Sequence, residues 1–178
     1  MLEDRVLVWK SKRGDKAAFD ALYEKYVDFL LTVAMSLLRD AHEAEEVVQD
    51  VFAGFITSLS DFRLKGNLKA FLATCVANRA RDRLRRRRRQ ERCDPPMPRD
   101  DIHSPLTLII HDESVEKMQG ALEQLPYEQR EIVILKIQGD LSFRALARQQ
   151  NLALGTVQTR YRSGIARLRC LLNGEVIQ

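Results

Sequence analysis

The chain has 178 residues, 45% hydrophobic and 7% aromatic, with eight glycines, five prolines and a formal net charge of +4. That is room for one ordinary domain or two small ones with packed cores, and the composition favours helices over a β-sandwich or barrel. No run has the apolar length of a membrane span, the first 16 residues lack the layout of a signal peptide, and Cys75, Cys93 and Cys170 are widely spaced without a C-x-x-C. A cytoplasmic protein with no disulfide framework and no membrane insertion is therefore expected.

In chain order, "AAFDALYEKYVDFLLTVAMSLL" reads as a largely buried helix. The next helix begins with a capping box, Asp40 followed three residues later by Glu43. Its apolar positions, Ala44, Val47, Val48, Val51, Phe52, Phe55, Ile56 and Leu59, alternate by three and four, which leaves Glu46, Gln49 and Asp50 on an acidic outer face. "SDFRLKGN" at 60–67 is a turn-rich loop, and a third helix runs from Leu68 into an arginine run. Four of the five prolines then fall within 95–105 among Asp94, Asp100 and Asp101, a segment that cannot continue a helix and has little to bury. Beyond this linker, "ESVEKMQGALEQL" is a helix ended near Pro126, and "YEQREIVILKIQ" is another stopped by Gly139. Ser142 caps "FRALARQQ", and Asn151 closes it in the left-handed conformation.

The last helix lies in "LALGTVQTRYRSGIARLR". At about 100° per residue, Val157, Tyr161, Gly164, Ile165, Leu168 and Leu172 fall on one side. Thr159, Arg162, Ser163 and Ala166 centre the opposite side, with Arg160 and Arg167 on one flank and Gln158 and Arg169 on the other. Two short helices joined by a tight turn, the second basic and amphipathic, make a helix-turn-helix whose arginine face suits a DNA groove.

The charge is unevenly distributed. Residues 79–92 hold nine arginines against Asp82 and Glu91, net +7, and residues 117–172 carry net +5. Residues 93–116 between them carry net −5. Two basic modules across an acidic connector suit a polyanion gripped at two places. The arginine run alone has an alternative reading as a solvated helix end. Cys93, His103 and His111 match no zinc spacing, and there is no P-loop and no nucleophile–base set, so neither a metal, a cofactor nor an enzyme is expected.

"LEQLPYEQREIVILKIQGDLSFRALARQQNLALGTVQTRYRSGIARLRCLL" resembles the promoter minus-35-binding domain of bacterial sigma factors. "LYEKYVDFLLTVAMSLLRDAHEAEEVVQDVFAGFI" with "FLATCVANRARDRLRRRRR" resembles their minus-10 domain. The strongest signals are "AEEVVQDVF", Asn78 with Asp82 in "NRARDRLR", "LP" at 125–126 and "GTVQTR". With two domains and a short linker, the chain is similar to the extracytoplasmic-function (ECF) group of the sigma-70 family. The resemblance implies an all-α fold of two small helical domains: a region 2 bundle at 1–92 and a region 4 helix-turn-helix at 117–178, joined by an acidic, proline-containing linker at 93–116.

It also implies function. The protein would direct core RNA polymerase to promoters and initiate transcription. Glu46, Gln49 and Asp50 would meet the clamp helices of the polymerase largest subunit, and a further contact would fall on the flap. The melted minus-10 strand would be held by Phe62, Arg63, Lys65, Asn67, Lys69, Phe71 and Asn78, with Arg85 and Arg86 on phosphates; Phe62 and Phe71 serve equally well as core. Gln158, Thr159, Arg162 and Ser163 would reach base edges of the minus-35 duplex, with Arg160 and Arg167 on phosphates. An anti-sigma factor is a further implied partner. The family often carries Trp at 71, Arg at 74, 77, 163 and 165, and an acidic supporting helix. Here stand Phe71, Thr74, Ala77, Ser163 and Ile165, with Arg144 and Arg148 on the supporting helix, so positive charge is moved from the recognition helix to its support. The alternatives are a stand-alone helix-turn-helix regulator, which leaves the acidic face and stacking loop without a role, and an adaptor that binds polymerase but not promoters.

Overall fold

The computed structural model describes residues 2–64, 66–93 and 113–173, and among these the chain is eight helices with no strand. They are α1 (Leu2–Lys12), α2 (Lys16–Leu38), α3 (Ala41–Thr57), α4 (Leu68–Cys93), α5 (Glu113–Glu123), α6 (Tyr127–Ile137), α7 (Phe143–Gln150) and α8 (Leu154–Asn173). Seven match the elements expected from sequence. α1 does not, because its buried face, Asp4, Val8 and Ser11, has a single apolar residue and gives no apolar periodicity.

The first half is built on α2, which α1, α3 and α4 flank. The Asp15 carboxylate caps α2 by accepting from the Ala18 N–H at 3.1 Å, and Arg39, at φ 65°, closes it. Asp40 then caps α3, accepting from the Glu43 N–H at 2.9 Å, as the capping box requires. Leu22, Leu30, Val33 and Leu37 of α2 meet Ala44, Val47 and Val48 of α3 and Leu68, Leu72 and Val76 of α4, all almost fully buried. Each such aliphatic side chain contributes about 1.5–3 kcal/mol relative to exposure. Beyond Ala80, α4 has no fully buried residue among those described: Arg81 and Arg83 are half-buried, and Arg85, Arg86, Arg88 and Arg89 are exposed.

The second half is centred on α6. From Arg130 to Leu135 six successive residues are buried, which one apolar face cannot explain. α6 is covered on one side by α8 and α7 and on the other by α2 and α4 of the first half. α7 is capped by Ser142, whose Oγ accepts from the Ala145 N–H at 3.1 Å, and closed by Asn151 at φ 53°. α8 seats Val157, Gly164 and Leu168, with Tyr161 and Ile165 half-buried. Gly164 permits the close approach: a Cβ there would lie 2.8 Å from Val133 Cγ2. Leu172, expected on the apolar side, is 43% exposed at the end of α8.

The two halves are packed together. Arg81 of α4 donates to the Glu131 carboxylate of α6, and Arg39 donates to the Glu123 carbonyl at the end of α5. Lys69 pairs with Asp140 at 3.5 Å, and Thr74 Oγ1 donates to Gln149 Oε1 at 3.4 Å. A Cβ added at Gly139 would lie 3.4 Å from the Cβ of Ala73. Small residues on both sides let α4 and the α6–α7 turn approach.

Candidate nucleic-acid interface

Between α3 and α4 three phenylalanines form one cluster. The rings of Phe55 and Phe62 stand edge-on at 5.1 Å between centroids, and Phe62 and Phe71 lie 4.9 Å apart. Phe55 is buried, Phe62 half-buried and Phe71 exposed at 37%. The sequence left core and stacking roles open for Phe62 and Phe71. Phe62 packs between buried Phe55 and the more exposed Phe71, whose ring also lies 6.3 Å from that of Phe55. Arg63 and Asn67 are exposed beside it. Asn67 has a local task as well, since its Oδ1 accepts from the Lys69 N–H at 2.9 Å at the start of α4. Lys65 lies outside the described residues.

Farther along α4, Asn78 is exposed and accepts from Arg81 Nη1 at 3.4 Å. Arg85 and Arg86 are exposed. Lys69 is drawn away from solvent, held by Asp140 and 4.5 Å from the centre of the Phe29 ring. The second half thus covers one face of α4, through Lys69, Ala73, Thr74 and Arg81. That face includes position 74, where the sequence carries Thr rather than Arg.

On α8, Thr159, Arg162, Ser163 and Arg167 are exposed together, while Gln158 and Arg160 are half-buried. Arg144 and Arg148 of α7 are also exposed. Arg160 faces the first half: with Arg81, Arg85 and Arg88 it lines a cleft of about 230 Å³ closed by Tyr127 and Glu131. Burial pushes the Glu131 carboxyl up from its ordinary value, against the opposing pull of Arg81 and Arg160.

The expected polymerase-facing side chains lie on the surface of α3 but are not all free. Arg83 of α4 donates to Glu46 and stands 3.7 Å from Asp50, and His42 is 3.5 Å from Glu46. The Arg83 hydrogen bond and charge hold the Glu46 carboxyl below its ordinary value. Gln49 is exposed. Sequence reading missed both Arg83 and Glu131 as members of the site. Each sits in a stretch read for another feature, the arginine run and the apolar α6.

Among the described residues there is no helix long and apolar enough to cross a membrane and no cluster of metal-binding side chains. The Sigma-70 region 2 family matches residues 22–90, and the Sigma-70, region 4 family matches residues 116–168. The chain is 30% identical to the ECF RNA polymerase sigma factor SigM of Mycobacterium tuberculosis over 159 residues, 89% of this chain and 79% of that protein. It is 29% identical to the RNA polymerase sigma-H factor of Pseudomonas aeruginosa over 169 residues, covering 89% of this chain and 88% of that protein. Its fold is similar to that of the sigma factor RpoE in complex with the anti-sigma factor NepR from Bartonella quintana, with a TM-score of 0.72 and 26% identity over 87% of this chain and 96% of that one. With regions 2 and 4 in that order, an exposed basic helix-turn-helix and an aromatic cluster at the head of an arginine-bearing helix, the chain belongs to the ECF group of sigma-70 family RNA polymerase sigma factors, which direct the core enzyme to promoters to initiate transcription.

Proposed function

We propose that the packed arrangement is a resting state, and that core polymerase separates the halves so that each takes its own promoter element. The observation that carries this is the contact between α4 and α6. Elements centred near minus-10 and minus-35 are about 25 base pairs apart, or about 85 Å at ~3.4 Å per pair. Helices that touch cannot reach both at once. The junction is also poorly satisfied: Arg130 Nε and Nη1, Tyr127 Oη, Gln149 Nε2 and Gln150 Nε2 are buried without a hydrogen-bond partner among the described residues. Each such group costs about 1–3 kcal/mol, a penalty set against the apolar packing of α6 on α2 and α4 and the ion pairs that hold the halves together.

In this reading residues 1–92 carry core and minus-10 binding, 93–116 are the tether, and 117–178 carry minus-35 binding. Glu46, Gln49 and Asp50 meet the clamp helices of the largest subunit, exchanging Arg83 for polymerase cations, and the second half docks on the flap. Phe71 stacks a base of the melted strand, with Phe62 behind it and Arg63, Lys65, Asn67 and Asn78 along the backbone. Lys69 joins them once Asp140 departs, and Arg85 and Arg86 take phosphates. Arg162, Gln158, Thr159 and Ser163 read the duplex, while Arg160, Arg167, Arg144 and Arg148 anchor it. The protein works in the cytoplasm as a non-catalytic subunit. An anti-sigma factor is a further partner, by analogy with the sigma factor RpoE in complex with the anti-sigma factor NepR, and one that stabilised the packed halves would inhibit this chain.

Transcription in vitro with core polymerase on genomic fragments, followed by start-site mapping, tests the reading. Start sites preceded by one shared pair of elements are expected. Tight, sequence-specific duplex binding by the free chain, with no stimulation of core polymerase, would support a stand-alone regulator instead.

A further inference from the structure

α1 lies outside both stretches matched by the family, and it has two distinct faces. Asp4, Val8 and Ser11 are buried against α2, where Asp4 accepts from Lys25 Nζ and from Tyr26 Oη, each at 2.9 Å. Half a turn around, Leu2, Val6, Trp9 and Arg13 line up at helical spacing and point away from the core. Trp9 is the single tryptophan of the chain and is 53% exposed. The Arg13 guanidinium lies over its ring at 4.3 Å from the centroid.

The position of this ring is informative. Lys12 Nζ donates to the Ser60 carbonyl oxygen at 3.3 Å, which fixes the end of α1 against the loop that leads to Phe62 and Phe71. Between residues 5 and 14 there are four cations, Arg5, Lys10, Lys12 and Arg13, and no acid. The two acids earlier in α1, Glu3 and Asp4, are both occupied by Lys25. An exposed indole whose charged neighbours between residues 5 and 14 are all cations, on a helix tied to a loop that already presents aromatic rings, has the composition of a single-strand platform: a π-face for a base and guanidinium or ammonium groups for phosphates.

We propose that Trp9 and Arg13 form a second stacking site for the melted promoter strand, extending its path from the Phe62–Phe71 loop onto α1. Trp9 takes a base. Arg13 swings from the ring to the adjoining phosphate, and Lys10 supplies further charge. The proposal rests on the reading of the loop as the minus-10 strand site.

The test uses holoenzyme reconstituted with core polymerase. 5-Iodouracil is placed one position at a time along the melted strand, and photocrosslinked peptides are identified by mass spectrometry. Crosslinks to the Phe62–Phe71 segment are expected at one set of positions, and crosslinks to the Trp9 peptide at positions adjoining them. In parallel, Trp9→Ala should shorten open-complex lifetime about tenfold, the loss of one stacked base. Trp9→Tyr should restore most of it, and both variants should bind core polymerase as the parent does. Loop crosslinks with none to Trp9 at any position would overturn the proposal and leave the loop assignment standing. Absence of both would overturn the loop assignment and the proposal with it. Weakened binding of Trp9→Ala to core polymerase without DNA would make this face a protein contact and also overturn it.

Discussion

Arg81 of α4 donates to the carboxylate of Glu131 on α6, and that carboxylate is only 3% exposed, so the two halves of the chain share one buried ion pair. Removing one member of such a pair costs more than removing both, because the survivor is left desolvated. Arg81→Ala should therefore favour separated halves, with a larger radius of gyration by small-angle X-ray scattering. Glu131→Gln keeps the shape and an acceptor for Arg81, so its effect should be smaller. The pH dependence has a definite sign. Burial raises the carboxyl above 4.5, so the folded chain holds this proton more tightly than the unfolded chain does. The Glu131 contribution to stability should fall as pH rises above 4.5 through the raised value, and thermal melts of Glu131→Gln should lack that component. Equal radii for Arg81→Ala and the parent would remove this pair from the account of packing.

On the other side of α4, Arg83 holds both Glu46 and Asp50. If those carboxylates face polymerase, Arg83 is a competitor for them. Arg83→Ala should leave folding intact and strengthen assembly with core polymerase, most visibly at low salt. The double reversal Glu46→Lys, Asp50→Lys should weaken assembly. A competition pull-down decides: unchanged affinity in both variants would place the polymerase contact elsewhere.

How much of this could be read in advance differs by element. The caps at Asp40, Ser142 and Asn151 were legible because each is a local exchange between one side chain and nearby backbone. The exposed face of α8, with Thr159, Arg162, Ser163 and Ala166, was legible from spacing alone. α1 was not, since its inner face is held by Asp4 hydrogen bonds to Lys25 and Tyr26 rather than by an apolar stripe. The packing of the halves was not legible either, because Arg81 and Glu131 are 50 residues apart and nothing local couples them. One trace was present: "EIVIL" in α6 has no polar side, as suits a helix covered from two directions.

The anchoring of α1 gives a third prediction. Tyr26 donates to Asp4 at 2.9 Å, and burial with that hydrogen bond pushes its phenol up to about 12. Tyr26→Phe should cost about 1.5–3 kcal/mol, the worth of a hydrogen bond to a charged group. The raised value means the fold retains the phenolic proton, so stability should fall as pH rises from 10 toward about 12. Denaturant melts of Tyr26→Phe should lack this alkaline component. Identical alkaline profiles would show that the bond contributes nothing.

Phe71 and Phe62 separate structure from binding. Phe62 packs on buried Phe55, so Phe62→Ala should destabilise the first half as a core truncation does. Phe71 is more exposed, and Phe71→Ala should change the melting temperature little while slowing promoter opening. Permanganate footprinting of unstacked thymines reads opening directly. Full opening by Phe71→Ala holoenzyme would return Phe71 to a packing role.

The last prediction divides the labour of the two basic clusters. Arg162 stands exposed on the outer face of α8 beside Thr159 and Ser163, where a side chain can lie along base edges. A bidentate contact to guanine gives ~1–3 kcal/mol of discrimination against other bases. Arg162→Ala should therefore relax the minus-35 preference at one or two positions and leave core binding unchanged. Arg86 and Arg89 are exposed on α4 and are not among the residues lining the cleft with Arg81 and Arg160, and in the proposed reading they meet phosphates without reading sequence. Replacing both by Gln should weaken all promoters alike and flatten the salt dependence by about one unit of slope per lost phosphate contact. Promoter-library selection with each holoenzyme at two salt concentrations separates the cases, because loss of a base contact changes the selected sequence while loss of a phosphate contact changes only its salt response. An unchanged preferred sequence for Arg162→Ala, or an altered one for Arg86→Gln with Arg89→Gln, would reverse the assignment.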